Sequence, residues 1–182
     1  MQRQVDLPAK EALSELPTAC DWGVKHDTDG NEYRWRGYKA HLAWADGMIP
    51  LLCVTSSASV HDSQTAIPMM KTLAACVTSF YDLMDSAYDA PGIRQVSASL
   101  GHITLIEQNP RRGEKVIFAP AESVGYRERG NAERGNSRLK DSFGLRSIYV
   151  RGHAKVDLHI HFAVLVLFAD QILKPFGHPP DS

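Results

Sequence analysis

The chain has 182 residues, of which 43% are hydrophobic and 23% are charged, and its net charge is −1. This length and balance suit one domain with a buried core, and they exclude a chain that is disordered throughout. Three cysteines, Cys20, Cys53 and Cys76, lie far apart without a C-x-x-C spacing, which argues against a zinc ribbon and against a secreted disulfide framework.

The first part of the chain is predicted to be a loop-rich lead-in followed by a β-hairpin. Residues 1–33 contain several Pro, Gly and Asp residues without sustained periodicity, which is typical of loops. In residues 36–44, apolar side chains recur at every second position from Tyr38 to Trp44, and Asp46-Gly47 then turns the chain into residues 49–55. This alternation around a turn predicts two antiparallel strands.

The next segment is predicted to form a helix and a short buried strand. Asp62 or Ser63 can cap a helix that runs towards residue 77. Residues 80–84 then form an apolar run that places Asp85 at its C-terminal end.

A second helix and strand follow. Asp89 is expected to cap a helix that starts near Pro91 and that Gly101 ends, and residues 102–107 are expected to form another strand. A loop rich in Pro, Arg and Gly covers residues 109–113. Hairpin, helix, strand, helix and strand in this order suit an α/β fold with parallel crossovers.

The last predicted helix covers residues 153–173. Its most apolar run, residues 162–169, is too short to cross a bilayer, and the N-terminus lacks the apolar core of a secretion signal. We therefore expect a packed helix in a soluble cytoplasmic chain with no membrane partner. His159 and His161 face different directions on such a helix, so this pair does not predict a metal site.

Charge is distributed unevenly along the chain. Residues 111–155 contain eleven Lys and Arg against five Asp and Glu, a local net charge of +6, and the remainder carries −7. A basic segment next to acidic flanks indicates a localised nucleic-acid surface, with ordinary charge fluctuation as the alternative.

The most informative pattern lies within this basic region. Tyr126, Arg129, Glu133 and Lys140 follow the spacing Y-x2-R-x3-E-x6-K, and on a helix these four positions fall within about 80° of one another. We call them the signature face. A carboxylate can bind a divalent cation, while neighbouring cations neutralise phosphate oxygens. The alternative is a solvated helix with i,i+4 ion pairs.

This spacing resembles the signature of DDE-type insertion-sequence transposases, often called the YREK family. Residues 37–41, 55–63 and 82–89 resemble further segments of the family, in the expected order. The resemblance implies a ribonuclease H-like fold, a mixed sheet flanked by helices, over residues 34–174, with a tail at 175–182.

The family's first catalytic acid has no convincing counterpart. In the family it lies on the first, central strand of the sheet, upstream of the segment that residues 37–41 resemble. Asp6 and Asp21 precede that segment, and neither follows a clear strand. The resemblance therefore implies the C-terminal part of a longer transposase, and we expect that the chain alone does not transpose DNA.

The resemblance also implies residue roles. Asp85 and Glu133 are expected to be catalytic and to bind Mg²⁺ or Mn²⁺ for DNA cleavage and strand transfer. The DNA partners are the transposon ends and the target, and a homodimer is expected in the synaptic complex. Phosphate contacts are implied for three signature-face residues, and two neighbours extend that surface or are solvated charge: Tyr126, Arg129, Lys140, Arg134 and Arg138.

Other interpretations remain open. Asp82 is interpreted as part of the strand that leads to Asp85, while Lys39 and His41 either face the site or pack on the sheet. A ribonuclease H-like nuclease could share the acids and the strand order without needing the signature face. An inactive, DNA-binding transposase remnant is the other alternative.

Overall fold

The computed structural model describes residues 2–26, 29–107 and 118–174, which form two β-sheets flanked by helices. The strands are β1 (Asp21–His26), β2 (Glu32–Ala45), β3 (Ile49–Ser57), β4 (Tyr81–Met84) and β5 (Ile103–Ile106). The helices are α1 (Gln2–Asp6), α2 (Ala9–Ser14), α3 (Ser63–Ala74), α4 (Pro91–Ser99), α5 (Pro120–Arg127), α6 (Arg129–Asp141) and α7 (His153–Leu173).

The antiparallel sheet has the strand order β1-β2-β3. The long strand β2 pairs with β1 through its first half and with β3 through its second half. The turn between β2 and β3 uses Gly47 at φ 72°, a left-handed conformation that glycine adopts without steric cost. The predicted hairpin is therefore confirmed.

Strands β4 and β5 form a parallel pair, connected by helix α4. Tyr81 lies opposite Ile103, and Met84 lies opposite Ile106. Because parallel strands end at the same edge of a sheet, the residues that follow them, Asp85 and Glu107, emerge at one edge. The two predicted short strands are confirmed.

The predicted single mixed sheet is corrected by this topology. The α/β class and the flanking helices are as expected, but among the described residues β2 and β4 belong to separate sheets. The physical reason is the hydrogen-bond pattern: β2 is paired with β1 and β3, while β4 is paired with β5. A central strand bonded to both β2 and β4 is not found in the described part of the chain.

The prediction of a loop-rich lead-in over residues 1–33 was wrong, because α1, α2 and β1 lie within it. Burial explains the difference: Ala12 is fully buried against the rest of the fold. The ammonium group of Lys71 on α3 also donates hydrogen bonds to the carbonyl oxygens of Val5 and Leu7, at 2.7 and 2.6 Å. These long-range contacts leave no local trace in the sequence.

Two hydrophobic cores hold the elements together, the second made of two clusters that share Leu42 and Val164. Ile67 of α3, Ile93 of α4 and Ile106 of β5 belong to the first. The second joins β2 and β3 to the later helices, and it includes Cys53 of β3 and Leu139 of α6. Burial raises the pKa of the Cys53 thiol to about 12. The second core fixes α6 and α7 against the antiparallel sheet.

Helix α7 has the predicted bounds but not the predicted environment. It buries one face and exposes an opposite apolar one, so it is packed on one side only. With 21 residues it is long and apolar enough to cross a membrane by length and composition, whereas the expectation from the sequence concerned only residues 162–169. Core helices of soluble proteins meet the same criterion. The exposed apolar face comprises Leu158, Phe162, Leu165, Val166, Ile172 and Leu173.

Candidate functional site

Asp85 lies directly after strand β4, at the carboxyl end of the parallel pair. Its side chain accepts a hydrogen bond of 2.9 Å from the backbone N–H of Ala87 and so caps the short 3₁₀ turn Ser86–Tyr88. This bond holds the carboxylate of Asp85 at the strand edge, where the sequence predicted it.

The two acidic neighbours of Asp85 have structural partners. Asp82 accepts hydrogen bonds from the hydroxyl of Ser97 at 2.6 Å and from Nδ1 of His102 at 3.0 Å, which ties β4 to the helix and strand beside it. Asp89 forms an ion pair of 3.0 Å with Arg94. The N-cap residue of α4 is Ala90, without a side-chain cap, so the interpretation of Asp89 as the helix cap was wrong.

The signature sequence forms two helices rather than one. Helices α5 and α6 meet at Glu128, whose φ of −61° and ψ of −18° keep the helical sense of the chain. The junction is tightened: the N–H of Glu128 bonds to the carbonyl of Gly125, and the N–H of Asn131 bonds to the carbonyl of Glu128. These i to i−3 bonds are of the 3₁₀ type, which is common at helix ends.

Tyr126 connects the signature face to the end of β4. Its hydroxyl donates a hydrogen bond of 3.3 Å to the backbone carbonyl of Met84, the residue before Asp85. Its ring lies against Phe118, with 4.9 Å between ring centroids. The structure therefore places the first signature residue beside the strand end that carries Asp85.

The surroundings of Tyr126 raise the pKa of its hydroxyl. Partial burial is the largest cause, Glu107 and Asp85 add to it through their negative charges, and Arg129 opposes it. The hydroxyl therefore stays protonated at neutral pH and keeps its donor role. Glu107 is a residue that sequence reasoning missed. Its signal was available in principle, because it follows β5 as Asp85 follows β4.

Arg129 extends the same face towards Glu133. Its guanidinium carbon lies 5.6 Å from the centroid of the Tyr126 ring, and its Nη2 lies 2.9 Å from a carboxylate oxygen of Glu133. Glu133 is 64% exposed. Three of the four signature residues therefore share one surface, as the spacing predicted, and a cation lies directly beside the carboxylate.

Lys140 and the two neighbouring arginines have different surroundings. Lys140 is exposed and lines a cleft between α6 and β2. Arg134 bonds to the side chain of Asn131. Arg138 forms an ion pair of 2.8 Å with Asp170 of α7, so it connects two helices. The DNA contacts proposed for these residues stay predictions, as they do for Tyr126 and Arg129.

Gly135 sets how closely α6 approaches the antiparallel sheet. A Cβ atom at this position would lie 2.6 Å from two ring carbons of Trp44. Only glycine leaves room for that indole, which is why a residue with low helix propensity occupies the middle of α6. The close approach fixes the direction in which the signature face points.

Lys39 and His41 have packing roles on β2. The ammonium group of Lys39 donates to the carbonyl of Val60 at 2.9 Å and to the carboxylate of Asp62 at 3.1 Å. His41 is buried, with Nε2 2.8 Å from the hydroxyl of Ser56. Burial lowers the pKa of His41 and keeps its imidazole neutral.

The described residues do not assemble a complete metal site. Two candidate carboxylates, Asp85 and Glu133, flank Tyr126 and Arg129, but within the described ranges no group of three or more His, Cys, Asp or Glu is placed to hold a metal ion. Asp21 accepts a hydrogen bond of 2.8 Å from the N–H of Trp22 at the start of β1. This bond is the largest cause that lowers the pKa of Asp21, so the carboxylate is engaged locally.

A carboxylate at a strand end beside a cationic helix surface is an arrangement suited to phosphate-containing substrates. The transposase DDE domain family matches residues 9–169, most of the chain. The chain therefore belongs to the transposase DDE domain family, and the resemblance noted in the sequence is confirmed. No curated protein and no solved structure matches the chain.

Proposed function

We propose that this chain acts in DNA transposition, in the metal-dependent cleavage and strand transfer of an insertion sequence, on a ribonuclease H-like fold. Family membership supports the proposal. The single observation that carries it is the 3.3 Å hydrogen bond from Tyr126 to Met84. It brings the signature face to the strand end that presents Asp85.

Asp85 and Glu133 are the proposed catalytic carboxylates and the proposed ligands of Mg²⁺ or Mn²⁺. Bound divalent ions supply Lewis-acid chemistry to phosphodiester displacement. The described residues contribute two carboxylates and not three, so the proposal includes a third ligand from outside them. In this proposal the chain has two roles. The hydrogen bond from Ala87 holds the Asp85 carboxylate at the end of β4, and the ion pair with Arg129 orients Glu133.

The cations of the signature face are proposed to bind double-stranded DNA through its phosphates. Arg129 and Lys140 are charged, and neither is deeply buried. Phosphate contacts position DNA without reading its sequence, so the transposon ends and the target are both proposed partners. A homodimer in the synaptic complex and a location in the bacterial cytoplasm, at the nucleoid when bound to DNA, belong to the same proposal.

A cleavage assay tests this function. The purified chain is incubated with Mg²⁺ and a duplex that carries a transposon end, and nicked and joined products are resolved on a denaturing gel. Asp85→Asn and Glu133→Gln should each remove any products while leaving DNA affinity in place. Glu11→Gln, a matched change at an exposed position of α2, should have no effect. The same amount of product from all four proteins would contradict the assignment of the acids, whereas no product from any of them would mean that the third ligand is missing from the chain.

A second candidate function is DNA binding without chemistry. The observation that favours it is the lack, among the described residues, of a three-carboxylate group. The same samples distinguish the two functions, because a binding protein shifts the duplex in a gel without cutting it. Cleavage that depends on both Asp85 and Glu133 would exclude this second function.

A further inference from the structure

Helix α7 has two apolar faces that point in opposite directions. The first is buried against the rest of the fold and consists of Val156, Ile160, Ala163 and Leu167. The second is the exposed apolar face described above, which lies about 180° away from the first on a regular helix. A helix that is apolar all round suits a buried environment. Among the described residues, one side of α7 therefore lacks the partner that its composition suits.

The exposed face has the spacing of a coiled-coil seam. Five exposed apolar residues recur in steps of four, three, four and three positions: Leu158, Phe162, Leu165, Ala169 and Ile172. This repeat keeps successive side chains in line with a second helix, so that each can insert between the side chains of the partner. The pattern therefore indicates that another helix covers this face.

The size and polarity of the exposed face suit a protein interface. Its large apolar side chains are between 46% and 59% exposed, and together they present on the order of 600 Å² of apolar surface, as much as the largest patch on a typical monomer. The structure describes every residue of α7, and at its exposed positions from Leu158 to Leu173 the one polar side chain is His161. Depletion of charge is typical of the core of protein interfaces, which bury about 800 Å² per partner.

The charge at the start of α7 favours an antiparallel partner. Lys155 is exposed in the first turn, and that turn contains no acidic residue. A cation is unfavourable there, because the N-terminus of a helix carries partial positive charge. In an antiparallel pair, Lys155 lies beside the last turn of the partner helix, where the carbonyl groups carry partial negative charge. A parallel pair would instead place the two lysines side by side.

We infer that α7 pairs with α7 of a second copy of this chain, antiparallel about a two-fold axis that passes between Phe162 and Leu165. A two-fold pair needs a surface that is complementary to itself. About this axis Phe162 of one copy meets Leu165 of the other, and the large Leu158 meets the small Ala169. Lipid would not surround α7, because its other face packs on β3 and α6. The inference goes beyond the proposed function, since the pair forms without DNA.

Sedimentation velocity of the chain without DNA tests the pairing. The unsubstituted chain should form a dimer whose fraction grows with protein concentration. Leu165→Glu sets two carboxylates near each other at the axis, and Phe162→Glu places a carboxylate in the apolar seam, so each should weaken dimerisation by about tenfold or more. Phe80→Glu is the matched control, because Phe80 is 70% exposed and lies outside α7, and it should leave dimerisation unchanged. Circular dichroism verifies that each variant is folded.

Disulfide trapping tests the orientation of the two helices. Cys20 and Cys76 are exposed, so both are first replaced by serine. A mixture of Leu158→Cys chains and Ala169→Cys chains should form a cross-linked pair on mild oxidation, because these positions lie opposite each other in the antiparallel arrangement. Leu158→Cys chains alone should not cross-link, since their two thiols would lie about 16 Å apart along the helix axis, beyond the reach of a disulfide.

Three outcomes would overturn the inference. A chain that stays monomeric at every concentration has no such pair, and if that monomer floats with vesicles of phosphatidylglycerol, lipid covers the exposed face instead. A dimer that is equally strong in Leu165→Glu and Phe162→Glu uses another surface. Cross-linking of Leu158→Cys chains alone would show a parallel pair. None of these outcomes affects the proposed function, because the cleavage assay tests it separately.

Discussion

The hydroxyl of Tyr126 lies 3.3 Å from the backbone carbonyl oxygen of Met84, to which it donates a hydrogen bond. This bond joins α5 to the last residue of β4, and the two residues are 42 positions apart in the sequence. Since Asp85 follows Met84, the bond sets the relation between the acidic strand end and the signature face. It is the structural basis of the proposed site.

Replacing Tyr126 by phenylalanine should test this relation. Tyr126→Phe removes the hydroxyl but keeps the ring contact with Phe118, so the loss of one partly buried hydrogen bond should lower the free energy of unfolding by about 0.5–1.5 kcal/mol. Chemical denaturation measures this change. Tyr149→Phe is the matched control, because Tyr149 is 92% exposed. Equal stability of the two variants would mean that the bond to Met84 contributes nothing.

Two glycines of α6 should respond in opposite directions to the same substitution. Gly135→Ala should lower the free energy of unfolding by about 1–3 kcal/mol, because its Cβ would overlap the Trp44 indole. Gly130→Ala should raise it by about 0.5–1 kcal/mol through helix propensity. At Gly130 the nearest atom is the flexible end of Arg134, at 3.4 Å. Denaturation curves that move in the same direction would contradict the packing described.

The salt dependence of DNA binding should report the phosphate contacts. Arg129→Gln and Lys140→Gln should each reduce affinity for a blunt duplex and lower the slope of log affinity against log salt by about one unit. Affinity should depend little on sequence. Lys10→Gln is the control for loss of charge elsewhere. Salt-independent binding by the unsubstituted chain would refute an interface based on phosphates. The arginines and lysine at 111, 112 and 115 lie outside the described residues.

Stability should fall on the acidic side of neutrality because of His41. Its pKa is lowered by burial, so the unfolded chain binds more protons below the ordinary histidine pKa of about 6.5. The contribution of His41 to the free energy of unfolding is therefore complete above that pH and is lost as the pH decreases. The free energy of unfolding should change by at most about 1.4 kcal/mol per pH unit. In His41→Gln this slope should be smaller. His161→Gln, at an exposed position, should keep the slope of the unsubstituted chain.

Most elements of the fold could be predicted because their signals are local. Alternation around Gly47 predicted the hairpin, and Pro91 marked the start of α4. The break at Glu128 could not be predicted, because no proline marks it. The separate sheets also depend on hydrogen bonds between distant segments.

The candidate site could be predicted only in part. The spacing of Tyr126, Arg129 and Glu133 was sufficient to place them on one surface, since a helix repeats regularly. Glu107 was missed, although it follows β5 as Asp85 follows β4, because its place beside Asp85 depends on the parallel register of the two strands. Arg151 was missed as a cleft residue because it is far in sequence from β2 and reaches the cleft only through the packing of α7.

Asp85 and Glu133 are proposed to belong to one metal-binding site. The most direct measurement loads the chain with Fe²⁺ beside a transposon-end duplex, adds ascorbate and peroxide, and maps by mass spectrometry where the backbone is cut by locally produced radicals. We expect cuts near both residues, and we expect Asp85→Asn and Glu133→Gln each to remove both sets of cuts. Cuts near only one of the two residues, or cuts that survive in both variants, would contradict it.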